Sequence, residues 1–434
     1  MSDADPRPVD LRPKEFESPP DDPFANDRLN RKESVESLCT IIQNARRPLV
    51  VSVEGAYGTG KSSFLRMCAS RMSQLGAWAV EFNAWQQGHT GRPLIDLVAA
   101  LSTRLADRGS WDKVKDAARH AGWRTAGYLT RGIVAPIEAD SPVVFQEWAD
   151  IDDGVAEFRA SLREEIEAAG KKLVILVDEL DRCEPTYALD LLNKARHLFD
   201  IDGVVIVFGV NREELGHAVE TLYGPKCDVD GYLRRFVDLS MQLQLPTTVE
   251  WAAYMTSICD SLLDCTRILG DESNTPRVVL TLLADNCGGR LRDIEQIVRQ
   301  ANLALPPRDY NPIWPLQLIT MLALRYLDRD SYERFVAGDA GTGEVLLVMR
   351  EHLTKTEAMF DMTFLDAVLL LLHGDQEVPR DENAFVEYYQ SIRKGEIDDA
   401  KSTYGLLQGL RRHTFAPMSA VETLHKIIEI AAPI

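Results

Sequence analysis

The segment from Gly55 to Ser62 matches the phosphate-loop pattern G-x-x-x-x-G-K-[ST] in full. An apolar run at 48–53 precedes it and predicts a short buried strand, and apolar residues at helical spacing follow it over 61–75. In such a unit, glycines let consecutive backbone N–H groups turn inward around a phosphate at the positive end of the helix. A chance glycine-rich turn is the alternative, and the flanking strand and helix disfavour it. The segment therefore predicts a nucleoside-triphosphate site in an α/β protein.

Two residues of this loop have predicted chemical roles. We expect Lys61 to have an exposed side chain that reaches the β- and γ-phosphates, and we expect the Ser62 hydroxyl to ligate Mg²⁺. The string at 211–214 departs from the guanine-reading Asn-Lys-x-Asp pattern at both the Lys and the Asp, so ATP is the predicted nucleotide. The other predicted nucleotide contacts are the rest of the loop and the residue after Ser62: Gly55, Ala56, Tyr57, Gly58, Thr59, Gly60 and Ser63.

At 434 residues the chain is long enough for two or three domains, and its 45% hydrophobic and 26% charged residues are those of an ordinary globular protein. The net charge of −19 disfavours broad binding to nucleic acid. Seven scattered cysteines without a C-x-x-C pair predict neither disulfides nor structural zinc. The N-terminus is unlike a signal peptide, and the longest apolar run, 367–372, is too short to span a bilayer. We therefore expect a cytoplasmic protein without membrane association.

The pattern along the chain predicts four regions. Residues 1–28 contain six prolines and many acidic residues, so we expect a disordered or loosely packed arm. Apolar strands alternating with helices over 29–245 predict a P-loop NTPase domain. This is an α/β fold with a parallel sheet flanked by helices and a helical insertion at about 86–170. Helical periodicity then predicts a helical lid domain over 246–305 and a C-terminal all-helical region of unassigned role over 306–434.

An apolar strand predicted at 173–177 ends in Asp178, which places this carboxylate at the C-terminal edge of the sheet beside the phosphate loop. There we expect Asp178 to hold Mg²⁺ through water, and Glu179 to orient and polarise the water that attacks the γ-phosphate. The alternative is a polar helix-capping turn, which the upstream phosphate loop disfavours. For Asp181 and Arg182, a local ion pair, a nucleotide contact and a contact with a neighbouring subunit all stay open.

Four further polar residues are candidate phosphate contacts. Asn211 follows the next apolar strand, where a residue that senses the γ-phosphate is expected, and a plain Asn turn explains it equally. Arg234 and Arg235 precede the last strand, the position from which a subunit offers an arginine to its neighbour's γ-phosphate. Two surface arginines, or an ion pair with Asp238, are at least as well supported. Arg290 is expected to reach the phosphates when the helical domain closes, or is part of an ordinary helix start.

Together these motifs resemble the KAP family of P-loop NTPases, within the STAND branch of the AAA-like ATPases. The resemblance covers about residues 25–305. It rests on five segments in order: Asn30-Arg-Lys32, Glu54 to Ser63, Phe82-Asn-Ala-Trp85, Val177 to Cys183, and Tyr232 to Phe236 ahead of Leu245-Pro246. The family usually has Asp at the position of Glu179, and glutamate is the commoner catalytic carboxylate among related ATPases. This departure from the family pattern therefore favours hydrolysis.

Many members of this family carry transmembrane helices between the two nucleotide motifs, whereas the corresponding segment here is rich in charged residues. We therefore do not expect this chain to have their membrane-scaffold role. Soluble bacterial relatives in the family resemble phage-defence components. The resemblance implies an ATP-hydrolysing regulatory switch, in which ATP and Mg²⁺ close the helical domain. This closure would change binding to an unidentified protein partner or within a homo-oligomer. A nucleotide-binding scaffold with little turnover is the alternative, and the charge disfavours a nucleic-acid-stimulated motor.

Overall fold

The computed structural model describes residues 16–88, 91, 93–105, 142–247, 249–250, 253–254, 291–304, 314–353, 366–367, 370, 378–392, 397–411, 425 and 428. The chain divides into two compact units. One consists of Phe16–Gln244, and the other contains the residues from Leu245 onward. The first unit holds the phosphate loop and the acidic residues predicted to act with it.

The first unit is built on a five-stranded parallel sheet. Its strands are β1 Leu49–Glu54, β2 Trp78–Asn83, β3 Leu173–Asp178, β4 Val204–Val210 and β5 Leu239–Gln242. Their order across the sheet is β2-β3-β4-β1-β5, so β4 lies between the strand before the phosphate loop and the strand that ends in Asp178. Because the strands are parallel, the segments that follow β1, β3 and β4 meet at one edge. The predicted α/β fold, a parallel sheet flanked by helices, is confirmed.

Helices cover both faces of this sheet. They are α1 Lys32–Asn44, α2 Lys61–Gln74, α3 Ala84–Gln87, α4 Pro93–Leu105, α5 Pro142–Ala169, α6 Pro185–Leu198, α7 Arg212–Tyr223 and α8 Val229–Leu233. Along β3, Val174 and Leu176 face the core shared with α1 and α2, whereas Ile175 and Val177 face the core shared with α4 to α7. A strand buried on both faces must be apolar throughout, and this explains its continuous apolar run in the sequence.

The segment predicted as a helical insertion contributes to the core of the sheet. Leu97 and Leu101 of α4 and Phe158 and Leu162 of α5 are buried together with residues of β2 and β3. Residues 106–141, between these helices, lie outside the described residues. The described parts of the insertion therefore form part of one helical layer of the unit, together with α6 and α7.

Residues 16–28 were expected to belong to a loosely packed arm, and in the structure this stretch lies against α2. Side chains one helical turn apart on α2 donate hydrogen bonds to its backbone carbonyls: Arg66 Nη1 to Phe16 O at 2.8 Å, Ser70 Oγ to Pro19 O at 3.1 Å, and Gln74 Nε2 to Pro20 O at 2.8 Å. Composition alone indicated disorder, because a proline-rich segment has few N–H groups with which to pair its own carbonyls. Donors on α2 satisfy those carbonyls instead.

The described part of the second unit is helical, as the sequence predicts. Its helices are α9 Leu291–Ala304, α10 Trp314–Leu327, α11 Arg329–Ala337, α12 Thr342–Leu353, α13 Glu382–Ile392 and α14 Ile397–Arg411. Polar contacts join distant parts of this unit: the Tyr389 hydroxyl donates to the Asp366 carboxylate, and the Tyr332 hydroxyl lies 3.0 Å from His425 Nδ1. Across the described residues, no helix has the length and apolar character that a bilayer crossing requires.

Candidate nucleotide-binding site

Glycines set the backbone of the loop between β1 and α2. Gly58 and Gly60 have φ values of 78° and 90°, in the left-handed region that residues with a side chain rarely adopt. Gly60 is also the N-cap of α2 and supplies no side-chain cap. The positive end of the helix dipole therefore has no capping hydroxyl or carboxylate from Gly60, and this arrangement suits an anion such as a phosphate.

The ammonium group of Lys61 lies inside the loop. Its Nζ donates to Gly55 O at 2.8 Å and to Ala56 O at 3.0 Å, and it lies 5.4 Å from the centroid of the Tyr57 ring. Lys61 is only 8% exposed, so the expectation of an exposed side chain is wrong. The loop carbonyls act as the acceptors, and Thr59 Oγ1 also donates to Ala56 O at 2.8 Å. The flexible lysine stem lets the ammonium exchange these carbonyls for phosphate oxygens.

The hydroxyl of Ser62, the second residue of α2, lies beside the carboxylate of Asp178 at the end of β3. Burial raises the pKa of Asp178 above its ordinary value, although the Ser62 hydroxyl, the Glu179 N–H and the Lys61 ammonium act in the opposite direction. A hydroxyl beside a carboxylate is the oxygen donor set that Mg²⁺ takes, so these residues fit the predicted metal. A divalent cation would also favour the charged carboxylate that burial disfavours.

Glu179 is held from three sides. Its backbone has a φ of 58°, a left-handed conformation that is unusual for a residue other than glycine. Its Oε2 accepts a hydrogen bond from Asn83 Nδ2 at 3.0 Å, and its Oε1 lies 3.6 Å from a guanidinium nitrogen of Arg182. The orientation of the Asn83 amide is fixed, because its Oδ1 accepts the Gln86 N–H at 2.9 Å and caps α3.

Tyr57 joins the phosphate loop to the turn that follows β3. Its hydroxyl donates to the backbone carbonyl of Asp181 at 3.4 Å, and its ring centroid lies 5.4 Å from the Arg182 Cζ. Burial, with the nearby Asp181 carboxylate, raises the pKa of Tyr57 to about 12, so the hydroxyl keeps its proton and remains a donor. The Tyr57 side chain therefore connects the two segments that carry the predicted phosphate and catalytic residues.

Asn211 follows β4, between the phosphate loop and Asp178. Its Oδ1 accepts the Glu213 N–H at 3.2 Å and caps α7, while its own N–H donates to Asp181 Oδ2 at 2.9 Å. Burial raises the pKa of Asp181. The capping turn is thus present. Asn211 also lies between the phosphate loop and the end of β3, which is the position expected of a γ-phosphate sensor, and this role stays a prediction.

The structure does not bring Arg234 and Arg235 to the phosphate loop of their own chain. Both are exposed, and Arg235 lines a cleft of about 540 Å³ with residues at the end of α6 and just after it, namely Asn193, Arg196, His197 and Asp200. The Asp238 N–H donates to Val50 O at 2.9 Å, which fixes this segment at the start of β1, opposite the loop. Asp238 pairs with Arg196 at 2.5 Å. The predicted site residue Arg290 lies outside the described residues.

The sequence did not single out Glu54 and Arg212 as site residues. Glu54, the last residue of β1, is buried and accepts hydrogen bonds from Ser52 Oγ at 2.8 Å, Arg212 Nη1 at 3.0 Å and Gln242 Nε2 at 2.7 Å. Arg212 also pairs with Asp230 at 2.6 Å. This network ties β1, β5, α7 and α8 together at the base of the loop. In the sequence, the signal that could have identified Glu54 is its charge at the end of an otherwise apolar strand.

The strand order, the phosphate loop and the acidic residues at the end of β3 define a P-loop NTPase. A model of the KAP family P-loop domain matches residues 31–305, and the chain belongs to this family. The resemblance that the motifs indicated is therefore confirmed.

No curated protein matches the chain significantly. Solved structures similar to it include Orc1 of Aeropyrum pernix in complex with DNA, at 15% identity over 88% of this chain and 84% of that chain with a TM-score of 0.37. Domain III of the replication initiation protein DnaA of Thermotoga maritima has 10% identity over 74% and 92%, with a TM-score of 0.31. A Walker-type ATPase of Pyrococcus abyssi has 12% identity over 97% and 99%, with a TM-score of 0.32. Likenesses this distant carry no conclusion about the reaction or partners of this chain.

Proposed function

We propose that this protein binds ATP and hydrolyses it with Mg²⁺ as cofactor. One observation carries the proposal: the Lys61 ammonium, the Ser62–Asp178 pair and the Glu179 carboxylate come together where β1 and β3 end. These are the groups that ATP hydrolysis needs, namely a cation for the phosphates, oxygen ligands for the metal and a carboxylate for the attacking water.

In the proposed reaction, Lys61 contacts the β- and γ-phosphates. Ser62 and Asp178 would hold Mg²⁺, which neutralises phosphate charge when it is bound. Glu179 accepts a proton from the water that attacks the γ-phosphorus, the bond from this phosphorus to the β-phosphate oxygen breaks, and ADP leaves. The proton then passes from Glu179 to the phosphate product. The bond from Asn83 holds the glutamate in place during the transfer.

The hydrolysis is proposed to drive a regulatory switch in the cytoplasm. In the ATP state the helical region after residue 245, including Arg290, would close on the nucleotide and change a surface for a protein partner or a second copy of the chain. Arg234 and Arg235 are then candidates for a contact with the neighbour's γ-phosphate, since both are exposed. A role in phage defence rests on the family resemblance alone. Turnover per subunit that does not change with protein concentration would contradict assembly-dependent activation.

A nucleotide-binding scaffold with little turnover is the second candidate function. The observation in its favour is that Glu179 has a partner at each oxygen, Asn83 at 3.0 Å and Arg182 at 3.6 Å. A carboxylate engaged at both oxygens is a poor base until one partner leaves. Phosphate release measured with and without candidate partners separates the two functions, and addition of DNA or RNA to the same assay tests the less favoured motor.

The experiment for nucleotide binding compares Lys61→Ala with Lys172→Ala by calorimetry. Both lysines donate to backbone carbonyls, Lys61 within the loop and Lys172 to Ile42 O and Ala45 O at the end of α1. We expect Lys61→Ala to lose at least about tenfold in ATP affinity, as for a hydrogen bond to a charged group, and Lys172→Ala to bind as the wild type does. Equal affinities in both variants would contradict the assignment of the site.

A further inference from the structure

The guanidinium group of Arg182 lies at the phosphate loop of its own chain. Its Cζ is 5.4 Å from the ring centroid of Tyr57, and the Lys61 Nζ is also 5.4 Å from that centroid. Tyr57 is itself a residue of the phosphate loop. An aromatic face attracts cations through its quadrupole, so the Tyr57 ring holds a second positive group at the loop in addition to the lysine. Two like charges placed near one another are stabilised by an anion that contacts both.

The present partner of Arg182 holds it weakly. Its guanidinium nitrogen lies 3.6 Å from Glu179 Oε1, whereas a strong charge-assisted hydrogen bond is about 2.7–2.9 Å long. The Arg182 side chain is also 34% exposed, against 12% for Glu179. The arginine is therefore free to change partner, and the glutamate is confined by its backbone and by Asn83.

We propose that Arg182 is a γ-phosphate ligand supplied by the same chain, and that this contact releases Glu179 Oε1. The proposal rests on the proposed ATP binding. A terminal phosphate carries more charge than a carboxylate and accepts two parallel N–H bonds from a guanidinium, so it outcompetes Glu179 for this partner. Asn83 keeps Oε2 in place, while Oε1 becomes free to accept the proton of the attacking water. ATP itself thus converts Glu179 from an engaged carboxylate to a base.

This assignment differs from a contact made in trans by Arg234 or Arg235. Arg235 lines a cleft with the end of α6 and no residue of the phosphate loop lines that cleft. Arg182, in contrast, is three residues from Glu179 and on the ring of Tyr57. Among these arginines, Arg182 is the one that the fold places at the loop within one chain.

The test compares the affinities of ADP and of a non-hydrolysable ATP analogue by calorimetry. Arg182→Ala should weaken the analogue by about 10- to 100-fold, as expected for a hydrogen bond to a charged group, and change ADP by less than about twofold. Arg196→Ala is the matched control, because Arg196 has similar exposure and an ion pair with Asp238 away from the loop. It should change neither affinity. An equal loss for both nucleotides, or no loss, overturns the assignment to the γ-phosphate.

A second measurement tests the exchange of partners. Glu179→Gln removes the charge that holds Arg182, so it should tighten the analogue a few-fold in the wild-type background and leave it unchanged in the Arg182→Ala background. Equal effects in both backgrounds would overturn the exchange.

Mixing Arg182→Ala with Lys61→Ala protein should restore no phosphate release, whereas restored release would show that Arg182 acts in trans. Wild-type protein that binds both nucleotides and releases no phosphate would contradict the proposed hydrolysis and not this ligand assignment.

Discussion

Asn83 Nδ2 lies 3.0 Å from Glu179 Oε2, and this hydrogen bond joins the ends of β2 and β3 beside the phosphate loop. The same amide caps α3 through its Oδ1. Because one side chain makes both contacts, the position of the predicted catalytic carboxylate is coupled to the start of a short helix. We assign Asn83 as a positioning residue for Glu179.

Replacing Asn83 should therefore slow hydrolysis without weakening ATP binding. Asn83→Ser keeps a good helix cap but cannot reach Glu179, so it separates the two contacts of the amide. We expect kcat for phosphate release to fall about tenfold in both Asn83→Ser and Asn83→Ala, because the glutamate loses its fixed orientation. The KM for ATP should stay within about twofold. A higher turnover in Asn83→Ser would contradict this assignment, because it would show that the Asn83 amide inhibits Glu179 rather than positioning it for catalysis.

The raised pKa of Asp178 predicts a conflict between stability and activity. Burial disfavours the charged carboxylate, so the folded state loses stability as the pH rises from the ordinary aspartate pKa, about 4, through the raised pKa of Asp178. Above the raised pKa this loss is complete. Asp178→Asn removes it, and without nucleotide the variant should unfold at a higher urea concentration than the wild type at pH 7.5. The difference should shrink toward pH 4.5.

The same Asp178→Asn variant should lose Mg²⁺-dependent phosphate release by about 100-fold or more, because it lacks a metal ligand. Asp190→Asn is the control, since Asp190 is a surface residue paired with Lys194 on α6. It should change neither the activity nor the pH dependence of unfolding. A less stable Asp178→Asn protein at pH 7.5 would contradict the effect of burial, and unchanged turnover would place the metal ligand elsewhere.

The absence of a side chain at Gly209 lets α2 approach β4 next to Asp178. A Cβ at this position would lie 2.6 Å from Leu65 Cδ1 and 3.4 Å from Asp178 Oδ1. Leu65 is buried, so we expect Gly209→Ala to cost about 1–3 kcal/mol in the free energy of unfolding through overpacking. The double variant Gly209→Ala with Leu65→Ala should lose less free energy of unfolding than the sum of the losses in the two single variants, because the shorter side chain makes room for the new Cβ.

Urea unfolding of the single and double variants checks this prediction. Gly405→Ala on α14 is the control, because none of the described residues lies within 4 Å of a Cβ placed there. Alanine should be neutral or stabilising in that helix. Additive costs for Gly209→Ala and Leu65→Ala would show that the two positions do not compete for the same space.

The local chemistry of the site was predictable from the sequence. The phosphate loop, the apolar strand ending in Asp178 and the alternation of strands with helices are signals carried by neighbouring residues, and each corresponds to an element of the structure. The contacts of Glu179 were not predictable in this way. Asn83 is 96 residues from Glu179, and the two meet only because β2 pairs with β3 in a register that places Asn83 beside Asp178.

Other differences also come from tertiary contacts. Composition indicated a loose arm up to residue 28, yet hydrogen bonds from α2 hold the stretch that begins at Phe16. Lys61 was expected to be exposed, yet the carbonyls of its own loop accept its ammonium. Arg234 and Arg235 precede β5 and do not reach the phosphate loop of their own chain, so their contact with the γ-phosphate of a neighbouring subunit stays a prediction.

We propose above all that Glu179 is the base for ATP hydrolysis at this site. The most direct test is a single-turnover measurement of phosphate release from ATP by wild-type protein and by Glu179→Gln, with Mg²⁺ and with the metal chelated. We expect Mg²⁺-dependent release by the wild type, and release slower by about 100-fold or more from Glu179→Gln, which should still bind ATP at least as tightly. Equal rates of release from the two proteins would contradict this account.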